Sequence, residues 1–345
     1  MNQPRVLVIS KPDNDRLTHK LKEKHGLKRL VGESQAFLAE MNKIPRIAGC
    51  DATVLISGET GTGKELTARA IHYLSSRADK PFVPVNCGAI PIELAENELF
   101  GHERGAFTGA WERHPGLIGE AHGGTLFLDE LDCLPLLAQV KLLRFLQEKE
   151  YRALGSSKAY KADVRIITSA NIDFEEAMKT GKVRPDLYYR LNVLSLRLPP
   201  LRERRQDIPL LARYFLARYA AEFAKAPLEL SGDLLQRLMA YDWPGNVREL
   251  QHTIERAVAI SDGPVIQDAD LPLPGAAPIR GPESFQEAKA RAIAEFERGY
   301  IEGVLKIADG NITRAAKAAR KNRRSLRLLI RKHKIDVNAF RPDAK

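Results

Sequence analysis

The sequence predicts an α/β fold in which a parallel sheet lies between helices, followed by a helical lid and a separate all-α domain at the C-terminus. Three observations carry that reading. Short apolar runs alternate with amphipathic stretches between Leu30 and about residue 200. The first of these runs opens directly into a glycine-rich loop and then a helical stretch. After Leu198-Pro199-Pro200-Leu201 the strand signals stop and helical periodicity takes over. Apolar runs without alternation suit strands buried on both faces, and strands separated by helices suit parallel pairing.

In chain order, residues 1–29 form a short extension with one strand-like run, Arg5-Val6-Leu7-Val8-Ile9. It is too short for a receiver or sensor domain of roughly 100 residues. Residues 30–200 form the α/β part. Thr53-Val54-Leu55-Ile56, Phe82-Val83-Pro84-Val85, Thr125-Leu126-Phe127-Leu128 and Val164-Arg165-Ile166-Ile167-Thr168 read as its strands. Residues 201–260 form the lid, wholly helical from Asp207 onward. Trp243-Pro244-Gly245 interrupts it, and Asn246 is placed to cap a new helix with Val247, Leu250, Ile254 and Val258 on one face. Five prolines from Pro264 to Pro282 mark residues 261–283 as a linker. In residues 284–345, Phe285, Ala288, Ala292, Ile293, Phe296, Tyr300 and Val304 recur at helical spacing. That stripe suits the core of a single domain or the seam of a dimer.

Composition narrows the function classes. The 345 residues leave room for two or three domains, and 44% hydrophobic with 28% charged residues is ordinary for a soluble globular protein. No run approaches the ~18 apolar residues of a membrane helix, and Met1 to Ser10 lacks a signal-peptide pattern. Cys50, Cys87 and Cys133 are odd in number and lack C-x-x-C spacing. They read as reduced, mostly buried thiols of a cytoplasmic protein. From Gly310 to Lys345, twelve Lys and Arg stand against two Asp, a net of +10 equal to that of the whole chain. A basic block this concentrated predicts a phosphate-rich partner.

The chemistry-bearing residues fall into two segments. Gly58-Glu59-Thr60-Gly61-Thr62-Gly63-Lys64-Glu65 follows a strand and precedes a helix. Such glycines let backbone N–H groups converge on phosphate oxygens, the helix N-terminus adds positive charge, and Lys64 reaches the outer phosphates. Glu65 stands where the pattern expects a Ser or Thr for Mg²⁺, leaving water or Thr62 to replace that hydroxyl. Gly124-Thr125-Leu126-Phe127-Leu128-Asp129-Glu130 is an apolar strand ending in two acids. Asp129 is placed to organise Mg²⁺ through water, and Glu130 to polarise the water that attacks a γ-phosphate. Between the two lies Gly105-Ala106-Phe107-Thr108-Gly109-Ala110, which places Phe107 at a loop tip.

This hexapeptide, between these two signatures, resembles the signature loop of the sigma-54-dependent transcriptional activators, bacterial enhancer-binding proteins of the AAA+ class. G-E-T-G-T-G-K-E is the form the phosphate loop takes in that family. The resemblance is dense from Leu30 to about Ile260 and implies an AAA+ P-loop NTPase domain that hydrolyses ATP. It implies that Gly105, Ala106, Phe107, Thr108, Gly109 and Ala110 contact the sigma factor of the sigma-54 RNA polymerase holoenzyme, joined by a second loop near Gly155 to Lys161. By position, Asn86 restrains the catalytic glutamate and Asn171 senses the γ-phosphate. Arg184 and Arg190 match arginine fingers that enter a neighbour's site, and Arg248 matches a second sensor in the lid. Fingers in trans imply a ring of copies of this chain, usually a hexamer.

In the C-terminal domain a final helix begins near Asn322, with Leu326, Leu329 and Ile330 inward. Arg323, Arg327 and Arg331 share the opposite stripe, with Arg324 close by, the layout of a recognition helix in a major groove. The segment resembles a Fis-type helix-turn-helix and implies binding to upstream double-stranded DNA. Arg320 and Lys321 replace the usual glycine and apolar residue of the turn, which predicts a turn of different shape. The absence of a visible input domain suggests constitutive activity or restraint by a separate regulatory protein. Two other functions fit less of the chain: DNA occupancy without polymerase remodelling, and AAA+ remodelling of other proteins.

Overall fold

The computed structural model describes residues 30–171, 174–226, 228–261, 263–267, 271, 285–333 and 335–340. The strand-like run at residues 5–9 and most of the proline-rich stretch lie outside the described residues.

In chain order the strands of the first unit are β1 (Val54–Ser57), β2 (Phe82–Asn86), β3 (Thr125–Asp129), the short β4 (Glu150–Tyr151) and β5 (Tyr160–Lys161), β6 (Arg165–Ala170) and β7 (Leu194–Arg197). Five of them form one parallel sheet in the order β2-β3-β6-β1-β7. β4 and β5 pair antiparallel apart from it. Pro84 sits in edge strand β2, where its missing N–H breaks no internal ladder. The sequence reading counted four strands and missed β7. Leu194-Ser195-Leu196-Arg197 alternates over four residues, with Leu196 its fully buried position, too short a pattern to separate from a loop.

Successive side chains of a strand point to opposite faces, and the central strands feed two cores. Leu126 and Leu128 of β3 pack with Phe100, Leu142 and Phe145 on one face. Phe127 packs with Phe37, Ile71 and Ile167 on the other. Helices α1 (Gln35–Met41), α2 (Ile44–Ala48) and α3 (Lys64–Tyr73) serve the second face. The first is served by α4 (Ala95–Phe100), α5 (Gly116–Glu120), α6 (Leu136–Glu148) and, beyond α7 (Phe174–Lys179), α8 (Pro185–Leu191). Of the three cysteines only Cys87 is buried; Cys50 and Cys133 are exposed, against expectation.

The lid consists of α9 (Ile208–Glu222), α10 (Gly232–Ala240) and α11 (Asn246–Ile260), closed around a fully buried Trp243 whose Nε1 donates to Leu238 O at 2.7 Å. It is not wholly helical: β8 (Glu229–Leu230) pairs with β9 (Val265–Ile266). Ile266 and Leu271 are buried in the lid core, so lid packing continues beyond residue 260 into the stretch expected to be linker. Proline content hid those apolar residues from a compositional reading.

The second unit contains α12 (Phe285–Ile307), α13 (Ile312–Ala318) and α14 (Arg323–Lys332). Val304, Leu305, Ala315, Leu326 and Ile330 form its core, whereas Ile293 and Tyr300 are exposed. Asn311 and Asn322 cap α13 and α14 through their side-chain oxygens. The expected change in turn shape is not found. Arg320 takes the left-handed conformation at φ 48°, with Arg320 N bonded to Lys317 O and Lys321 N to Ala316 O. This is a Schellman closure built with a residue that carries a Cβ. Replacing Arg320 by Gly relieves that strain and is expected to stabilise this unit by about 1 kcal/mol. Chemical denaturation followed by circular dichroism checks it; an unchanged or lower midpoint refutes it.

Candidate active site and projecting loop

The phosphate loop runs from the end of β1 into α3, with Gly63 at the N-cap in the left-handed region at φ 106°. Lys64 is buried, and its ammonium donates to Gly58 O at 2.9 Å, to Glu59 O at 3.1 Å and to the Asn171 side-chain oxygen. Burial lowers its pKa, against the pull of Asp129 and Glu130. The cation is thus held by two carbonyls of its own loop and by Asn171.

The acidic side of the site stands at the end of β3. The Ser169 hydroxyl, from adjacent β6, donates to Asp129 Oδ1. Glu130 takes a left-handed backbone at φ 55°, and its carboxylate accepts from Asn171 Nδ2 at 3.3 Å. A Cβ on Gly88 would lie 2.5 Å from Glu130 Oε2, so a larger residue there would displace that carboxylate. Asn86 pairs in register with Asp129 and accepts from Ala89 N with its side-chain oxygen. Asn171 thus touches both Lys64 and Glu130. A cleft of about 510 Å³ gathers Lys64, Asn86, Asp129, Glu130, Asn171 and Arg248 with the loop from Thr60 to Glu65. Backbone donors and Lys64 suit phosphates. Asp129 and Glu130 suit a hydrated divalent cation and an attacking water.

Three loop residues have local partners. Glu59 pairs with Arg202 and accepts from Asn246 Nδ2. The Thr62 hydroxyl is buried and donates to Glu59 O at 2.7 Å. Glu65 pairs with Arg69 one turn along α3. Arg184 and Arg190 do not line the cleft: Arg184 pairs with Asp186 and Arg190 donates to Leu146 O.

Sequence reasoning missed the hinge. Asn246 does not cap α11; Gly245 takes the cap position, and Asn246 itself is fully buried at φ 53°. Its Oδ1 accepts from Leu201 N at 2.7 Å and its Nδ2 donates to Thr60 O at 3.0 Å. Nearby, Asp207 accepts from Glu33 N, Ser34 N and Ser34 Oγ, fixing the start of the domain to the lid. Arg204 lies over the Phe37 ring at 4.7 Å and donates to Thr62 O, with burial lowering its pKa to about 10. The only sequence signal was the charge-dense run Arg202-Glu203-Arg204-Arg205-Gln206-Asp207, which reads equally well as a solvated connector.

Away from the cleft, Gly105 to Ala110 forms an open loop. Cβ atoms built on Gly105 or Gly109 would meet nothing within 4 Å. Phe107 is 46% exposed and touches only one ring among the described residues, that of His102 at 4.9 Å. The second loop packs against its base: a Cβ on Gly155 would lie 2.7 Å from Ala106 Cβ. Tyr160 donates to Glu103 at 2.6 Å, and Arg113 pairs with Glu103 while lying over the Tyr160 ring. The two loops share one base.

A phosphate loop, an acid-tipped strand and a lid closing on that loop define an AAA+ ATPase domain. Residues 30–197 match the Sigma-54 interaction domain family and residues 202–278 the AAA+ ATPase lid domain. The chain is 45% identical over 312 residues to the transcriptional regulatory protein GlrR of Escherichia coli strain K12, spanning 90% of this chain and 69% of that protein. It is 47% identical over 313 residues to the response regulator PilR of Pseudomonas aeruginosa, spanning 89% and 70%. The crystal structure of NtrX from Brucella abortus in complex with ATP superposes with a TM-score of 0.70 at 34% identity, covering 94% of this chain and 73% of that one. The chain belongs to the sigma-54-dependent transcriptional regulators. Among the described residues no helix is long and apolar enough to cross a membrane.

Arg202, and after it Asn246, hold the Glu59 carboxyl down to about 2 from an ordinary value of 4.5. The pair's contribution to stability is therefore complete above about pH 4.5 and fades as pH falls toward 2. A carboxylate-detected NMR titration is expected to place the Glu59 midpoint near 2, returning toward 4.5 in Arg202→Ala. A wild-type midpoint near 4.5 refutes the hinge pairing.

Proposed function

We propose that this chain is an ATP-driven activator that binds upstream DNA and remodels the closed complex of sigma-54 RNA polymerase to open promoter DNA. The observation that carries this is the exposed loop at Phe107 and Thr108 on the same domain as a cleft lined by the glycine-rich loop, Lys64, Asp129, Glu130 and Asn171. The exposed Phe107 is the grip for the sigma factor. The shared base at Glu103 and Tyr160 joins the second loop to it.

Glu130 takes a proton from water as the water attacks the γ-phosphate in line, and Lys64 neutralises charge on the phosphate oxygens. Asp129 would hold Mg²⁺ through water, which supplies charge neutralisation at the β- and γ-phosphates. Asn171, touching both Lys64 and Glu130, registers whether the phosphate is present. Arg184 and Arg190 act on a neighbour's cleft, because their own chain keeps them outside its cleft, and this reading takes the working form to be a ring, usually of six. The exposed Arg323, Arg324, Arg327 and Arg331 face DNA from α14, with Asn322 setting the helix start.

In a purified system, Thr108→Ala is expected to retain ATP hydrolysis and lose open-complex formation by sigma-54 polymerase, while the intact chain supports both. Hydrolysis and DNA binding without open complexes in the intact chain would replace this reading with regulation by occupancy. The trans arrangement has its own test. Glu130→Gln and Arg190→Ala subunits are each expected to be inactive as ATPases, and mixing them is expected to restore hydrolysis by pairing intact Glu130 with intact Arg190. Mixtures no more active than the separate variants rule the trans arginine out.

A further inference from the structure

Trp111 is the most exposed large apolar side chain among the described residues, at 83%. It follows the Gly105 to Ala110 loop directly, and its backbone N–H donates to Gly109 O at 2.9 Å. The indole thus starts from the same turn as Phe107. Cβ positions at Gly105 and Gly109 are open, and Phe107 between them meets only the His102 ring among the described aromatic groups. The base of the loop, in contrast, is held by Glu103, Tyr160 and Arg113. A large aromatic ring left in water on a braced base is the arrangement of a binding anchor: a tryptophan contributes much contact area while losing little side-chain freedom.

We infer that Trp111 is a second aromatic anchor for sigma-54, seated on an apolar surface of that factor beside the one gripped by Phe107. This rests on the function proposed above and extends its contact surface by one residue. Continuity identifies the occupant: the ring adjoins the projecting loop, within the stretch matching the Sigma-54 interaction domain. Local charge is mixed: Arg104 before the loop is exposed, Glu112 follows Trp111, and Arg113 is engaged with Glu103 and Tyr160, so DNA is kept as an arm of the test.

The chain has two tryptophans, and the other, Trp243, is fully buried in the lid. Full-length protein labelled with 5-hydroxytryptophan carries the label at both positions, but only Trp111 is open to acrylamide, so the quenchable part of the signal reports Trp111 while unlabelled sigma-54 stays silent. With ADP and aluminium fluoride bound, purified sigma-54 is expected to shield this signal from acrylamide. Trp111→Ala is expected to weaken sigma-54 binding tenfold or more with ATP hydrolysis unchanged, and Trp111→Phe to retain most of the affinity. Equal sigma-54 affinity in Trp111→Ala overturns the inference, as does equal shielding by promoter DNA alone. If Phe107→Ala weakens binding while Trp111→Ala does not, the anchor fails and the proposed function stands. If the intact chain does not bind sigma-54, both fall.

Discussion

The buried amide of Asn246 is the constraint on which the nucleotide site depends. One side chain accepts from Leu201 at the exit of the sheet, donates to Thr60 in the phosphate loop, and belongs to the first turn of lid helix α11. The backbone reinforces it, with Val247 N bonded to Gly61 O. Gly61 packs so closely that a Cβ there would stand 2.3 Å from Gly245 O. A buried polar group left without its partner costs about 1–3 kcal/mol. Moving the lid away from the loop therefore carries the cost of these bonds. Position of the lid, and with it Arg248, is tied to the shape of the phosphate loop.

The same hinge shows where sequence reading reaches its limit. The phosphate loop, the acid-tipped strand and the start of the final helix were legible because each is a local pattern: glycines before a lysine, an apolar run ending in Asp129 and Glu130, and an amphipathic stretch beginning near Asn322. Asn246 carried the same local signal as a cap residue and does something else, because its partners lie 45 and 186 positions away. Asp207 likewise reaches back 173 positions to Ser34. Strand β7 was hidden by its length, and β9 by the prolines around it. What was missed is long-range pairing, which leaves no periodicity to read.

Arg320 failed in the other direction. A Cβ at a left-handed position costs about 1 kcal/mol, which argued for a different turn. The closure formed anyway, because Lys321 N and Arg320 N satisfy two carbonyls at the end of α13 and the apolar residues on both sides of the turn share one core. Local strain of that size is smaller than the combined packing of Ala315, Ala316, Leu326 and Ile330.

The cleft and the projecting loop are far apart in sequence but meet in one packed cluster under the sheet. It takes Leu128 and Leu131 from either side of Glu130, and Leu187 and Leu191 from the helix that carries Arg190. Phe100 and Ile118 come from the helices flanking the projecting loop, Tyr151 from the strand before the second loop and Ala162 from just after the strand that follows it. Tyr151 also donates to Pro115 O, which ties the second loop's root to the first. Close-packed interiors have few voids to absorb a displacement. Under the proposed function, a shift of Glu130 or of α8 on nucleotide turnover would bear on this cluster, which also packs the roots of both loops. The open tip, free of neighbours at Gly105 and Gly109, is then the part left able to move. A stiff root and an unencumbered tip are what a lever between a nucleotide cleft and a partner surface requires.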